Sequence, residues 1–377
     1  MENSLHQTLG ISIIVTTRGR VKLVDELLQS IEQAGSVFKG KYEILMIDDS
    51  NPTDSEKLKQ LCQQYQANYI HGPAKVTQKR NLGGSTAQYP ILLFLDSDCR
   101  AGPELLIEHE KYYARAKVGA VLGLLKFEGP NSWVWKGIEL TAFVMPFDFP
   151  LYMKNAPWGP TANFSIRRNL FKEINGFDES FPQKPGGEDV DFGLRLTKGG
   201  WDIYCNADAT VYHSKDTWST INQIVPRLYQ WGRAECYLMA RHPDKVVTTL
   251  PRLTLMFLMI LLLTIILALV TNHWFYLVVP PVWAIIQLLL QTLLQIRWAR
   301  RPMKLYFYQL FALVLTIVNE LGLVNEILLQ RKWRFSMQQM IYTPGQMEGE
   351  WHYGGSKIWA TLINIPVVFG IAIWLSR

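Results

Sequence analysis

Apolar positions follow two short periods in the first part of this chain and long unbroken blocks in the last. Residues 11–15, 42–47 and 91–95 are short, mainly apolar stretches, the last of them unbroken, as in strands buried on both faces of a sheet. Val21, Val24, Leu27, Leu28 and Ile31 fall at helical spacing and predict a helix over 21–32. Further helices are expected at 55–65 and 77–87, with short strands at 68–70 and, later, 201–212. Strands alternating with ten-residue helices imply an α/β domain with a mostly parallel, doubly wound sheet. Three of its strands end in polar or acidic residues, Thr16-Thr17-Arg18, Asp48-Asp49 and Asp96-Ser97-Asp98, which should converge on one crevice. Between 129 and 160 the pattern loosens into aromatics among prolines, from Trp133 to Trp158. That composition reads first as a flap packed on the sheet or a membrane surface, and second as a wall for a sugar or lipid acceptor.

Beyond Pro251 come apolar blocks at 253–270, 274–296, 306–329 and 358–375, each near the roughly 20 residues needed to cross a bilayer. The division expected is therefore a soluble domain at 1–240 and a helical membrane region at 241–377. Gln287, Gln291 and Gln295 share one face of the second block. Gln309, Thr316, Asn319, Glu320 and Glu326 share one face of the third, so the third is expected to be interfacial or re-entrant and the other three to span. The polar first ten residues carry no signal peptide, and Arg297, Arg300, Arg301 and Lys304 crowd the link between the second and third blocks. The positive-inside rule then places that link and the soluble domain in the cytoplasm, on a multi-pass cell-membrane protein.

The formal net charge of +6 suits a protein held against anionic membrane lipid. No basic helix or arm of the nucleic-acid kind occurs in the first 250 residues, so nucleic acid is not an expected partner. Cys62, Cys99, Cys205 and Cys236 show neither C-x-x-C nor zinc spacing and read as free thiols.

The candidate chemistry lies at the strand ends. Asp96 and Asp98, spaced i and i+2, project to one side of an extended backbone and suit Mg²⁺ or Mn²⁺ arriving with substrate phosphates. An isolated D-x-D is more often a solvated acidic turn. Thr16-Thr17-Arg18-Gly19-Arg20 fails the G-x-G-x-x-G pattern, and a Walker A loop is absent. Phosphates must then be held by metal and side chains, for which Lys79 and Arg80 near a helix start are well placed. Gly186 and Gly187 lead into Glu188 and Asp189 at a second helix start, a carboxylate site suited to a general base or explained by the helix dipole alone. His213 follows a strand, and a lone histidine is more often packed than a ligand. Arg227, Gln230, Trp231 and Arg233 cluster before the first apolar block, as an interfacial belt or as groups facing the leaving diphosphate and acceptor.

In order, Asp48-Asp49-Ser50, Lys79-Arg80-Asn81-x-Gly83, Asp96-x-Asp98, Gly187-Glu188-Asp189 and His213 resemble the motifs of family 2 glycosyltransferases of the GT-A fold, over residues 11–240. The resemblance implies that Thr17, Arg18, Asp48, Asp49, Lys79, Arg80 and Asp96 contact the donor nucleotide. Asp98, with Asp96 and His213, would hold a divalent cation. Asp189, with Glu188 beside it, would be the catalytic base of an inverting transfer. Asn163 falls where the family has a donor-sugar or acceptor loop, and Trp158 stands with it on the acceptor side. Processive synthases of the family carry Q-x-x-R-W; Arg227-Leu228-Tyr229-Gln230-Trp231 departs from it. The expected activity is metal-dependent transfer of a sugar from a nucleotide-sugar, a UDP-sugar first, to a lipid-linked or envelope-glycan acceptor. A processive synthase and a non-catalytic nucleotide-sugar-binding scaffold are the alternatives.

Overall fold

The computed structural model describes residues 9–182, 186–298, 303–343 and 370. Pro185, Arg300, Arg301 and nearly all of the apolar block 358–375 lie outside the described residues. Contacts divide the chain into two compact units, Met1–Asn131 with Phe143–Ser219 and Ser132–Ala142 with Thr220–Arg377.

The first unit opens as β1 (Ile11–Thr17), α1 (Val21–Val37), β2 (Tyr42–Asp48), α2 (Pro52–Gln64), β3 (Asn68–His71), α3 (Val76–Thr86) and β4 (Ile91–Asp96). Then come β5 (Cys99–Ala101), α4 (Leu105–Glu110) and β6 (Val118–Glu128), with α5 (Trp133–Ile138) of the second unit intervening. It closes with α6 (Phe149–Tyr152), β7 (Asn155–Ala156), β8 (Asn163–Arg167), α7 (Arg168–Glu173), α8 (Glu188–Lys198) and β9 (Asp202–Ser214). The sheet order is β3-β2-β1-β4-β8-β6-β9-β5, with β7 beside β9. β8, β5 and β7 run against the other six strands, so the sheet is mostly parallel in direction.

Register is what positions the site. Thr17 of β1 pairs with Asp48 of β2, and Thr16 with Asp96 of β4, so three carboxyl ends finish level on one edge. On one face Ile13, Val15, Leu93 and Leu95 pack against Leu27, Leu28 and Ile31 of α1. On the other, Phe94 of β4 meets Phe177 edge-on at 5.4 Å, and Phe177 stacks on Phe192 of α8 at 4.2 Å. That aromatic cluster pins α8 beneath β4 and fixes where its first turn points.

The second unit contains α9 (Ile221–Arg241), α10 (Leu253–Thr271), α11 (Val279–Trp298) and α12 (Gln309–Gln330), with a short ladder of β10 (Val246–Thr248) and β11 (Gln338–Met340). Leu253–Thr271, Trp274–Leu294 and Met303–Gln330 are long and apolar enough to cross a membrane. The polar face of α12 is turned inward. Glu326 accepts hydrogen bonds from Arg233 (2.7 Å) and Tyr237 (3.0 Å) of α9. Glu320 accepts from the amide and hydroxyl of Thr254 at 2.8 and 2.7 Å, at the start of α10. These pairs give the buried carboxylates internal partners, which offset the cost of taking their charge out of water. Gln287 and Gln291 of α11 are buried likewise.

α9 and α12 touch backbone to backbone. A Cβ placed on Gly232 would lie 1.7 Å from the Asn319 carbonyl oxygen, and one on Gly322 would lie 2.0 Å from that of Tyr229. Gly232→Val should therefore separate the helices and break the Arg233–Glu326 pair, costing about 3 kcal/mol or more by overpacking. The check is the thermal melt of detergent-purified protein; an unchanged midpoint would refute the contact.

Candidate active site

The end of β2 and the loop after it are built before any ligand is needed. Asp48 is fully buried, and its carboxylate accepts from the Ser50 amide and hydroxyl, from Ser55 (2.8 Å) and from Tyr69 (2.8 Å). All its lone pairs point inward, so Asp48 shapes the crevice rather than reaching into it. Asp49 is held by Lys79, which also donates to the Thr17 carbonyl at 2.7 Å. Burial lowers the Lys79 pKa, with Asp49 acting against it. Arg18 is mostly exposed and only 3.9 Å from Asp49, a distance that leaves its guanidinium open to a nucleotide.

Arg80 joins the two acidic motifs. Its guanidinium donates to Glu188 at 2.9 Å, reaches Asp96 at 3.6 Å and lies over the Phe177 ring at 5.3 Å. The end of β4 and the start of α8 are thus tied to one cation. Gly187 caps α8 at φ 81°, a left-handed conformation that favours glycine. Glu188 turns back to accept from the Gly186 amide at 2.6 Å. Asp189, half-buried, accepts from the Val190 amide at 2.8 Å. A helix N-terminus alone would depress its pKa. Burial and then the neighbouring Glu188 charge win instead, and raise it to about 7, with Arg80 opposing. A carboxyl there is suited to accept a proton near neutral pH.

Asp98 lies two residues past β4 with 4% exposure. It receives Arg20 at 2.9 Å, the Thr217 hydroxyl at 2.8 Å and His213 Nε2 at 3.3 Å. The β5–β9 pairing sets His213 opposite Cys99, and Phe127 and Trp218 flank its ring at 5.2 and 6.0 Å. Asp98, Cys99 and His213 offer donor atoms within 4.8 Å of one another. Burial pushes the Cys99 thiol well above its ordinary range, which keeps it protonated and a poor ligand. The carboxylate of Asp98 and the imidazole of His213 remain, a donor set that suits a hard divalent ion completed by phosphate oxygens. Asp96 is a third of the way exposed and faces Arg80.

The acceptor-side residues do not gather in this way. Trp158 is buried against Phe149, ring centres 5.5 Å apart. Asn163 is buried too; its amide nitrogen donates to the Leu124 and Ala209 carbonyls at 3.0 and 2.8 Å. Its oxygen faces His109 Nε2 at 2.9 Å, so that nitrogen carries the proton and Nδ1 accepts from Ser165 at 2.8 Å. Burial lowers the His109 pKa to about 4, keeping the ring neutral. Asn163 is thus bound up in the sheet, where an acceptor has no access to its amide. Asn163→Ala should cost about 2–4 kcal/mol by stranding three buried groups, with donor KM unchanged; a thermal melt beside a donor titration checks both. Arg227, Gln230, Trp231 and Arg233 lie on α9 of the second unit, where Arg233 contacts Gln230 and Glu326.

Two contributors carried no reading in the sequence. Arg20 was visible only as part of a failed glycine pattern, and nothing marked Thr217, four residues past His213.

Residues 12–175 match the model of the family described as glycosyl transferase family 2. The O-antigen biosynthesis protein RfbC of Myxococcus xanthus is 26% identical over 243 residues, which cover 59% of this chain and 19% of that protein. Validoxylamine A glucosyltransferase of Streptomyces hygroscopicus subsp. jinggangensis is 25% identical over 222 residues, covering 50% of this chain and 52% of that protein. The chain therefore spans about a fifth and about half of the lengths of these relatives. The mannosyltransferase PcManGT of Pyrobaculum calidifontis, solved with GDP-Man and Mn²⁺, aligns at a TM-score of 0.47 and 16% identity over 64% of this chain and 65% of that one. Residues 12–175, with their level strand ends and D-x-D turn, are thus similar to the glycosyl transferase family 2 domain, and long apolar helices follow in this chain.

Proposed function

We propose that the chain is a membrane-anchored, metal-dependent, inverting glycosyltransferase. It would move a sugar from a nucleotide-diphosphate sugar, a UDP-sugar first, to a hydroxyl of a lipid-linked or envelope-glycan acceptor. The observation that carries this reading is Arg80, which holds Asp96 at the D-x-D turn and Glu188 beside Asp189 on one guanidinium. Donor diphosphate and proton acceptor then belong to one crevice. The names of the two relatives, one in O-antigen biosynthesis and one a glucosyltransferase, support sugar transfer.

In this reading Asp189 takes the acceptor proton as the hydroxyl oxygen attacks the anomeric carbon, and the nucleoside diphosphate leaves from the opposite face. Asp98 and His213 would hold a Mg²⁺ or Mn²⁺, which when bound supplies positive charge to the leaving diphosphate. Arg80 and Arg18 add fixed positive charge on the same side. Lys79, tied to Asp49 and Thr17, shapes the nucleotide pocket. In this reading the long apolar helices anchor the glycosyltransferase domain at a cell membrane, on its cytoplasmic side.

The test is a donor screen with full-length protein, UDP-, GDP- and dTDP-sugars, Mg²⁺ or Mn²⁺, and membrane lipid extract. Metal-dependent release of one nucleoside diphosphate, with one sugar added per acceptor, is expected. Binding without turnover for every donor would favour a scaffold, and long products a processive synthase.

A further inference from the structure

We propose that Arg20 is a positioning residue that holds Asp98 in place of a divalent cation and hands it over when a nucleoside diphosphate binds. This inference rests on the reading of the crevice as a nucleotide-sugar site.

Arg20 stands at the N-terminus of α1 with φ 61° and ψ 32°. A non-glycine residue in the left-handed region carries a backbone cost, retained where surrounding structure demands it. Here Gly19 before it is fixed by its amide donating to Ser50 at 2.6 Å, and by its carbonyl accepting from Thr17 at 3.1 Å. The turn aims the Arg20 guanidinium at Asp98, 2.9 Å away. The two partners differ in burial. The Asp98 side chain is 3% exposed and that of Arg20 is 38%.

That asymmetry decides what the pair does. A buried carboxylate needs a countercharge, and among the described residues Arg20 is the cation of fixed charge that reaches it. A half-exposed arginine gains little stability from such a pair and regains hydration when it leaves. The same carboxylate is what a divalent cation would take, through the oxygen that faces His213, and a guanidinium left within a few ångströms would repel that cation. An incoming diphosphate offers Arg20 a bidentate partner. Its arrival would draw the guanidinium off Asp98 and open the carboxylate to metal. Nucleotide and metal then bind with positive coupling, and Arg20 is the source of it.

The experiment uses full-length protein in detergent. Mn²⁺ binding is read from loss of the free-ion paramagnetic resonance signal, without nucleotide, for wild type, Arg20→Gln and Arg20→Lys. Removing the competing cation should tighten Mn²⁺ binding by about tenfold in Arg20→Gln, within the usual range of site coupling. Arg20→Lys, which keeps the charge, should stay near wild type and serves if Arg20→Gln does not fold. UDP affinity is then measured with and without saturating Mn²⁺. The ratio of the two should be large in wild type and shrink in Arg20→Gln, the solution Mn²⁺–UDP complex being common to both. Equal or weaker Mn²⁺ binding by Arg20→Gln, or an unchanged ratio, overturns the inference and leaves the transferase reading intact. No Mn²⁺ binding by wild type, with or without UDP, overturns both.

Discussion

Asp189→Asn should abolish sugar transfer while leaving donor binding in place. General-base assistance is worth about 10²–10⁴-fold, so kcat should fall by that range with the nucleotide Kd within twofold or so. The pH dependence gives a sharper test. Burial and Glu188 raise the Asp189 pKa to about 7, and only the ionised form accepts a proton. Wild-type kcat/KM should therefore rise with pH through about 7, and this limb should vanish in Asp189→Asn. Glu188→Gln removes the second cause of the shift and should move the limb to lower pH. Linkage sets the sign for stability. A carboxyl whose folded pKa lies above its unfolded value weakens the fold as pH climbs between the two. Asp189→Asn should then melt higher than wild type at pH 8 and less so at pH 4. A variant that loses activity and gains stability marks a site held at a cost for function. Full activity in this variant, or an acidic limb unchanged by it, would remove Asp189 from the mechanism.

The first half of the sheet and the acidic turns were legible because both follow from local pattern. β1, β2 and β4 are mainly apolar runs whose ends are polar, and parallel register alone brings Thr17, Asp48 and Asp96 level. β6 and β8 are as deeply buried, yet β8 enters between β4 and β6 against the direction of both, a pairing set by contacts distant in sequence. The same distance hid side-chain commitments. Asp48 and Asp49 are adjacent and look equivalent, but alternation in β2 turns Asp48 toward Ser55 and Tyr69 and leaves Asp49 to Lys79. Asn163 looked available until β8 placed it between two carbonyls and His109. The polar face of α12 was readable as a periodicity; that it meets α9 through Gly232 and Gly322 needed three dimensions.

Asp98→Asn should be the most damaging single change to metal-dependent activity and a mild one for the fold. The two effects separate because Asp98 does two jobs through different oxygens. Thr217 and Arg20 bond to Oδ2, whereas His213 faces Oδ1 at 3.3 Å. An asparagine oriented with its oxygen toward Thr217 and Arg20 keeps both hydrogen bonds while losing the negative charge. Breaking a fully buried ion pair costs about 3–5 kcal/mol, but Arg20 is 38% exposed and stays hydrated, so the loss should be nearer 1 kcal/mol. Activity has no such cushion. The amide carries no charge for a divalent ion, and its nitrogen would face His213 where the ion should sit. Removing one preorganised electrostatic contact at a transition state costs about 10²–10³-fold, and loss of the ion itself should exceed that. Chelation of wild type should reproduce the loss, and Mn²⁺ should restore wild type but not Asp98→Asn. His213→Gln, which keeps the Asp98 carboxylate, should lose less and recover in part at high Mn²⁺. Should Asp98→Asn keep a wild-type response to Mn²⁺, the ion binds elsewhere and the D-x-D turn is structural.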